Sequence, residues 1–126
     1  MIGASGFLGS RLLANAPRDV TLVGTGHRRP VRPGNWRDVI LDLSSPSALA
    51  AVVERERPAA VFFCSYDKSD RSITVDAARQ AARLSARHGA RFVFFSTDLV
   101  FDGARGSYTE DATVAPLMPT GTRFER

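Results

Sequence analysis

Apolar positions along the 126-residue chain follow two rhythms. Four short unbroken runs, at residues 20–24 (VTLVG), 39–43 (VILDL), 59–64 (AAVFFC) and 91–96 (RFVFFS), are rich in β-branched and aromatic side chains and are flanked by Asp19, Pro58 or Gly89. Runs of this length without polar alternation predict strands of a parallel sheet covered on both faces. Between them the apolar residues recur three and four positions apart. Leu8, Leu12 and Leu13 predict a helix over 7–16 that stops before Pro17. Leu49, Val52 and Val53 predict a second, capped by Ser45, with Pro46 at its first position and Pro58 beyond its end. Ile73, Ala77, Ala81 and Leu84 predict a third that starts at Ser69 or Asp70 and stops at Gly89, with His88 capping its last turn. Helix, strand, strand, helix, strand, helix, strand is the order of an α/β, doubly wound Rossmann-type parallel sheet with right-handed crossovers.

Composition narrows this picture. With 44% hydrophobic and 24% charged residues, the expectation is a single globular domain over 1–126. No apolar run approaches the ~20 residues that cross a bilayer, and the start has no secretory pattern, so a soluble, cytoplasmic chain with no membrane partner is expected. Cys64 stands alone, which leaves neither a disulfide framework nor a zinc site, and no metal is expected. The net charge is +4, carried by sixteen arginines and the single Lys68. A basic balance suits anionic partners such as nucleotides or sugar nucleotides. The arginines are scattered along predicted helix faces without interleaved aromatics, so nucleic acid is not expected.

The strongest chemical signal is Gly3-Ala4-Ser5-Gly6-Phe7-Leu8-Gly9. Glycines at 3, 6 and 9 opening a helix let the backbone turn tightly, approach a pyrophosphate and set phosphates at a positive helix end. About 20 residues past the loop, the next strand runs into Gly24-Thr25-Gly26-His27-Arg28-Arg29. No carboxylate stands there for a ribose 2′-hydroxyl, and Arg28 with Arg29 favours the 2′-phosphate of NADP over NAD. Asp42 and Leu43, at the following strand end, suit an adenine, the carboxylate accepting from the amine and leucine packing on the ring; Asp42 is equally suited to cap the next helix. After the third run, Cys64, Ser65 and Tyr66 offer small residues beside a cofactor ribose, and Cys64 alone suits a core position.

GASGFLG, the Asp42–Leu43 pair and above all residues 95–111 (FSTDLVFDGARGSYTED) resemble the extended short-chain dehydrogenase/reductase superfamily, and within it the RmlD-like, dTDP-4-dehydrorhamnose reductase branch. The resemblance runs from residue 1 to about 116. It implies an NADP-dependent oxidoreductase that reduces a 4-keto nucleotide sugar by hydride transfer. Gly6, Phe7 and Leu8 would meet the pyrophosphate, Arg28 and Arg29 the 2′-phosphate, Asp42 and Leu43 the adenine, and Cys64, Ser65 and Tyr66 the nicotinamide ribose. Thr97 would hydrogen-bond the substrate carbonyl, a role in which a hydroxyl can polarise it, and Asp98 would touch the sugar. The helix at 70–88 would pack across a homodimer.

The sequence also departs from that pattern. The branch places a tyrosine acid and a lysine four residues later on one helix face, in the register P-x-x-x-Y-G-x-x-K. Here that register falls on Pro116, Thr120, Gly121 and Phe124, and no Tyr-x-x-x-Lys pair occurs anywhere in the chain. Only Met1 and Ile2 precede Gly3, where a strand of about five residues is needed at the sheet's centre. The expectation is therefore a fragment with a truncated first strand, a hole in mid-sheet and no C-terminal substrate region. It would bind NADP without catalysis, or act as a non-catalytic regulatory subunit such as the branch also contains.

Overall fold

The computed structural model describes residues 1–67 and 70–116, which divide into two compact units, one ending at Phe94 and one starting at Phe95. Lys68, Ser69, Thr120, Gly121 and Phe124, all invoked by the sequence, lie outside the described residues. In the first unit the order is α1 (Phe7–Ala14), β1 (Val23–Gly26), β2 (Arg37–Ile40), α2 (Pro46–Glu56), β3 (Ala60–Phe63), α3 (Arg71–Arg87) and β4 (Arg91–Phe94). Strands β1 and β2 pair in parallel, as do β3 and β4.

Residues 1–4 join the two pairs. Thr25 N–H donates to the Met1 carbonyl (2.9 Å) and Ala4 N–H to that of Thr25 (2.8 Å) on one side. On the other, Ile2 N–H donates to the Phe62 carbonyl and Cys64 N–H to that of Ile2, both at 2.8 Å. The strand order is thus β2, β1, residues 1–4, β3, β4. The expected hole in mid-sheet is closed along these four residues, because a strand needs only its own N–H and C=O groups to bond both neighbours.

Two apolar clusters lie against this framework. Leu49 and Val53 of α2 meet Ala77, Ala81 and Leu84 of α3 over Ile2, Val61 and Phe63. Leu13 of α1 packs instead with Ala4 and Val31, flanked by Met1, Leu22 and Trp36. Phe63, 1% exposed, has the rings of Phe92 and Phe94 at 6.4 and 6.0 Å, and burying such a side chain contributes about 1.5–3 kcal/mol.

Caps behave as the sequence requires. Ser45 Oγ accepts from Ala48 N–H with Pro46 in the first turn, and Asp70 accepts from Ser72 N–H, which settles the start of α3. His88 is the C-cap of α3.

Three expectations are corrected. The strand placed at 20–24 forms at Val23–Gly26, because backbone partners on both sides exist only from Val23 on. The run at 39–43 forms its strand at Arg37–Ile40 as a sheet edge, with Ile40 80% exposed rather than covered on both faces. Leu8, assigned to the apolar face of α1, is exposed; Leu13 and the close-packed Gly9 are that helix's buried positions. Among the described residues no helix is long and apolar enough to cross a membrane.

Candidate functional site

A cleft of about 390 Å³ opens at the carboxyl ends of the strands in the first unit, the place where ligands bind in open α/β sheets. Its floor is the turn after residues 1–4. Gly3 has φ +78°, and a Cβ there would come within 2.7 Å of the Ser65 backbone nitrogen, so only glycine fits. A Cβ on Gly9 would overlap the Gly3 carbonyl oxygen, so α1 approaches that turn closely. Gly3 and Ser5 line the cleft; Gly6 is the N-cap residue of α1 with no side-chain cap, leaving first-turn N–H groups of Phe7, Leu8 and Gly9 without intrahelical partners. The Phe7 ring is 82% exposed, with the Arg11 guanidinium 5.6 Å above it.

One wall carries Arg28 and Arg29, both exposed, with His27. The next carries Asp42 and Leu43. Asp42 Oδ1 accepts from both the N–H (2.9 Å) and the Oγ (2.7 Å) of Ser44, and these bonds hold the carboxyl below the usual carboxylate range. Its other oxygen stands 3.8 Å from His27 Nε2. Since Ser45 caps α2, Asp42 shapes the preceding turn and keeps one oxygen toward the cleft wall. Ser65 and Tyr66 close the far side. Cys64 does not line the cleft; it is half-buried, its N–H serves Ile2, and burial pushes its thiol up.

The second unit holds the remaining predicted residues. Thr97 Oγ1 accepts from Leu99 N–H (3.3 Å) and donates to Asp98 Oδ1 (3.2 Å), capping a short 3₁₀ turn, Asp98–Val100. Beyond it, Phe101 stacks on Tyr108 at 4.5 Å between ring centres, and the Tyr108 hydroxyl donates to Asp102 and accepts from Arg105 N–H. The VFDG and Y-x-E-D elements of the sequence are thus one hydrogen-bonded loop.

Sequence reasoning missed Thr25, His27, Ser44, Ile73 and Thr74 in the cleft. Thr25, 4% exposed, accepts from Gly3 N–H at 3.3 Å, and Thr74, 1% exposed, accepts from Asp67 N–H at 2.8 Å. His27 had a signal, its place beside the arginines; Thr74 had none, because it sits on the apolar face of α3.

The RmlD substrate binding domain family matches residues 1–123. The chain belongs to that family. A relative, a probable dTDP-4,6-dihydroxy-2-methyloxan-3-one 4-ketoreductase of Streptomyces antibioticus, is 37% identical over 94% of this chain and 41% of its own length. A hypothetical dTDP-4-dehydrorhamnose reductase from Sulfolobus tokodaii superposes with a TM-score of 0.86 at 22% identity, over 98% of this chain and 48% of its own, and supports the Rossmann-type fold alone. The dTDP-4-dehydrorhamnose reductase of Bacillus anthracis, solved in complex with NADP, superposes at 0.76 with 25% identity, over 98% and 44%. The chain therefore spans less than half the length of these relatives.

Proposed function

We propose that residues 1–126 are a single NADP-binding domain of a sugar-nucleotide reductase, one that reduces a 4-keto nucleotide sugar. The observation that carries this is the cleft: a glycine-only floor at Gly3, two exposed arginines on one wall, and no Asp or Glu among residues 24–29, the strand end that carries those arginines. The reduced cofactor, NADPH, would supply the hydride when bound. The chain's own residues bind and orient it. Phe7, Leu8 and Gly9 offer backbone N–H groups to the pyrophosphate, which Gly6 lets approach closely, Arg28 and Arg29 take the 2′-phosphate, Asp42 and Leu43 the adenine, and Ser65 and Tyr66 the nicotinamide ribose. Thr97 orients the substrate carbonyl and Asp98 contacts the sugar; the Thr97 hydroxyl, now turned to Asp98, would rotate to do so. Calorimetry on the 126-residue chain tests the assignment: NADP is expected to bind more tightly than NAD, and Arg28→Ala with Arg29→Ala to remove charge-assisted bonds of about 1.5–3 kcal/mol each. Equal affinity of the parent for the two cofactors would overturn it.

A second reading is favoured by Thr120 and Phe124, which occupy the places of the tyrosine and lysine in the family register. On that reading the chain binds nucleotide and serves another enzyme as a regulatory subunit. A homodimer through α3 and a cytoplasmic location belong to either proposal.

A further inference from the structure

The β1–β2 connection is unusual for a doubly wound unit because no helix fills it. Residues 27–36 (HRRPVRPGNW) cross instead as an irregular segment in which Val31 is the one buried residue, 6% exposed; all its neighbours from His27 to Asn35 are exposed. Val31 packs against Ala4 and Leu13, with half-buried Trp36 beside it, so it takes the place a helix would take on that face. No hydrogen bond among the described residues ties 28–36 to the rest of the unit. Two glycines of β1 leave the room for this crossing. A Cβ on Gly24 would come within 3.3 Å of Val31 Cγ1, and one on Gly26 would overlap the carbonyl oxygen of Arg29.

We propose that Val31 is a positioning residue that sets the cofactor preference: its burial, two residues after Arg29, pins over Gly26 at the cleft wall an arginine turn that no backbone hydrogen bond holds. The inference rests on the NADP reading above and adds to it that discrimination depends on an apolar anchor outside the cleft. The physical reason is entropic. An arginine turn without backbone bonds must be ordered before both guanidinium groups meet one phosphate, and a prepaid anchor removes that cost from binding. Pro30 and Pro33, each with a fixed φ and no N–H, shorten the slack on either side of the anchor.

The test uses the 126-residue chain and two probes that differ only at the phosphate in question, 2′,5′-ADP and 5′-AMP. Val31→Ala is expected to raise the calorimetric Kd of 2′,5′-ADP about three- to tenfold while that of AMP stays within about twofold. Val31→Ile is expected to keep both at parent values. In an Arg28→Ala, Arg29→Ala background, Val31→Ala should add nothing, because it acts through those two residues. If Val31→Ala does not fold, Pro30→Gly, at an exposed position between the arginines and the anchor, is expected to give the same selective loss. Equal losses for both probes, an unchanged 2′,5′-ADP affinity or additivity with the arginine pair would each overturn the proposal. A parent chain that binds the two probes equally would instead overturn the NADP reading itself.

Discussion

Side-chain oxygens close to the backbone decide much of the local chemistry here. Asp42, Asp70 and Asp102 are held below the ordinary carboxylate range, chiefly by hydrogen bonds from Ser44, Ser72 and Tyr108 respectively. A carboxylate depressed in the folded state contributes stability that is fully present above its unfolded value, near 3.9, and is lost as pH falls through the lower folded value. Melting temperature is therefore expected to be flat from about pH 7 to 5 and to fall below about pH 4, with Asp70→Asn lowering the neutral plateau and flattening the acid limb. An acid limb of the same slope in Asp70→Asn would exclude that residue as a contributor. Ser85 acts in the other direction. It is 0% exposed, and its Oγ has no hydrogen-bond partner among the described residues. Ser85→Ala removes that unsatisfied group and suits a helix better, so a gain of about 1 kcal/mol in denaturant unfolding is expected. A loss would reveal a partner for the hydroxyl.

Among the elements, α2 shows what its local signals and its packing each contribute. Ser45→Ala removes the cap bond to Ala48 and is expected to cost about 1 kcal/mol; Leu49→Ala, at a 0% exposed position between α3 and the sheet, about 2–5 kcal/mol. Comparable losses for the two would mean that α2 is held by its own ends and not by tertiary packing. Glu56, its last residue, pairs with Arg37 of β2 and with Arg55, which fastens the helix end to the edge strand. The helices were legible in the sequence because caps, prolines and a repeat of three and four are local facts. The strands were less so. An apolar run marks where a chain can be buried, whereas a strand begins where another backbone offers bonds, and this displaced β1 toward Thr25 and Gly26 and β2 toward Arg37.

For the molecule as a whole, the absence of any Tyr-x-x-x-Lys pair bears on activity more than the fold does. Threonine at 120 has no proton of suitable pKa and phenylalanine at 124 no charge to shift one; general acid catalysis contributes about 10²- to 10⁴-fold. The 126-residue chain with NADPH and a 4-keto nucleotide sugar is expected to show no NADPH oxidation above a heat-denatured control, even where calorimetry shows that NADPH binds. Keto-sugar-dependent oxidation by the unaltered chain would show that another group supplies the proton.

What the sequence determined by itself was the order of elements, the glycine turn, the arginine pair and the motif run at 95–111, because each is carried by residue types at short spacing. Only the tertiary structure decided that residues 1–4 bond both halves of the sheet, that Asp42 faces His27, that Thr25 and Thr74 sit in the cleft, and that Val31 packs on Ala4 and Leu13. Each of those depends on groups far apart in the chain, whose meeting is set by strand pairing and by the filling of two apolar clusters, and no local pattern encodes that meeting.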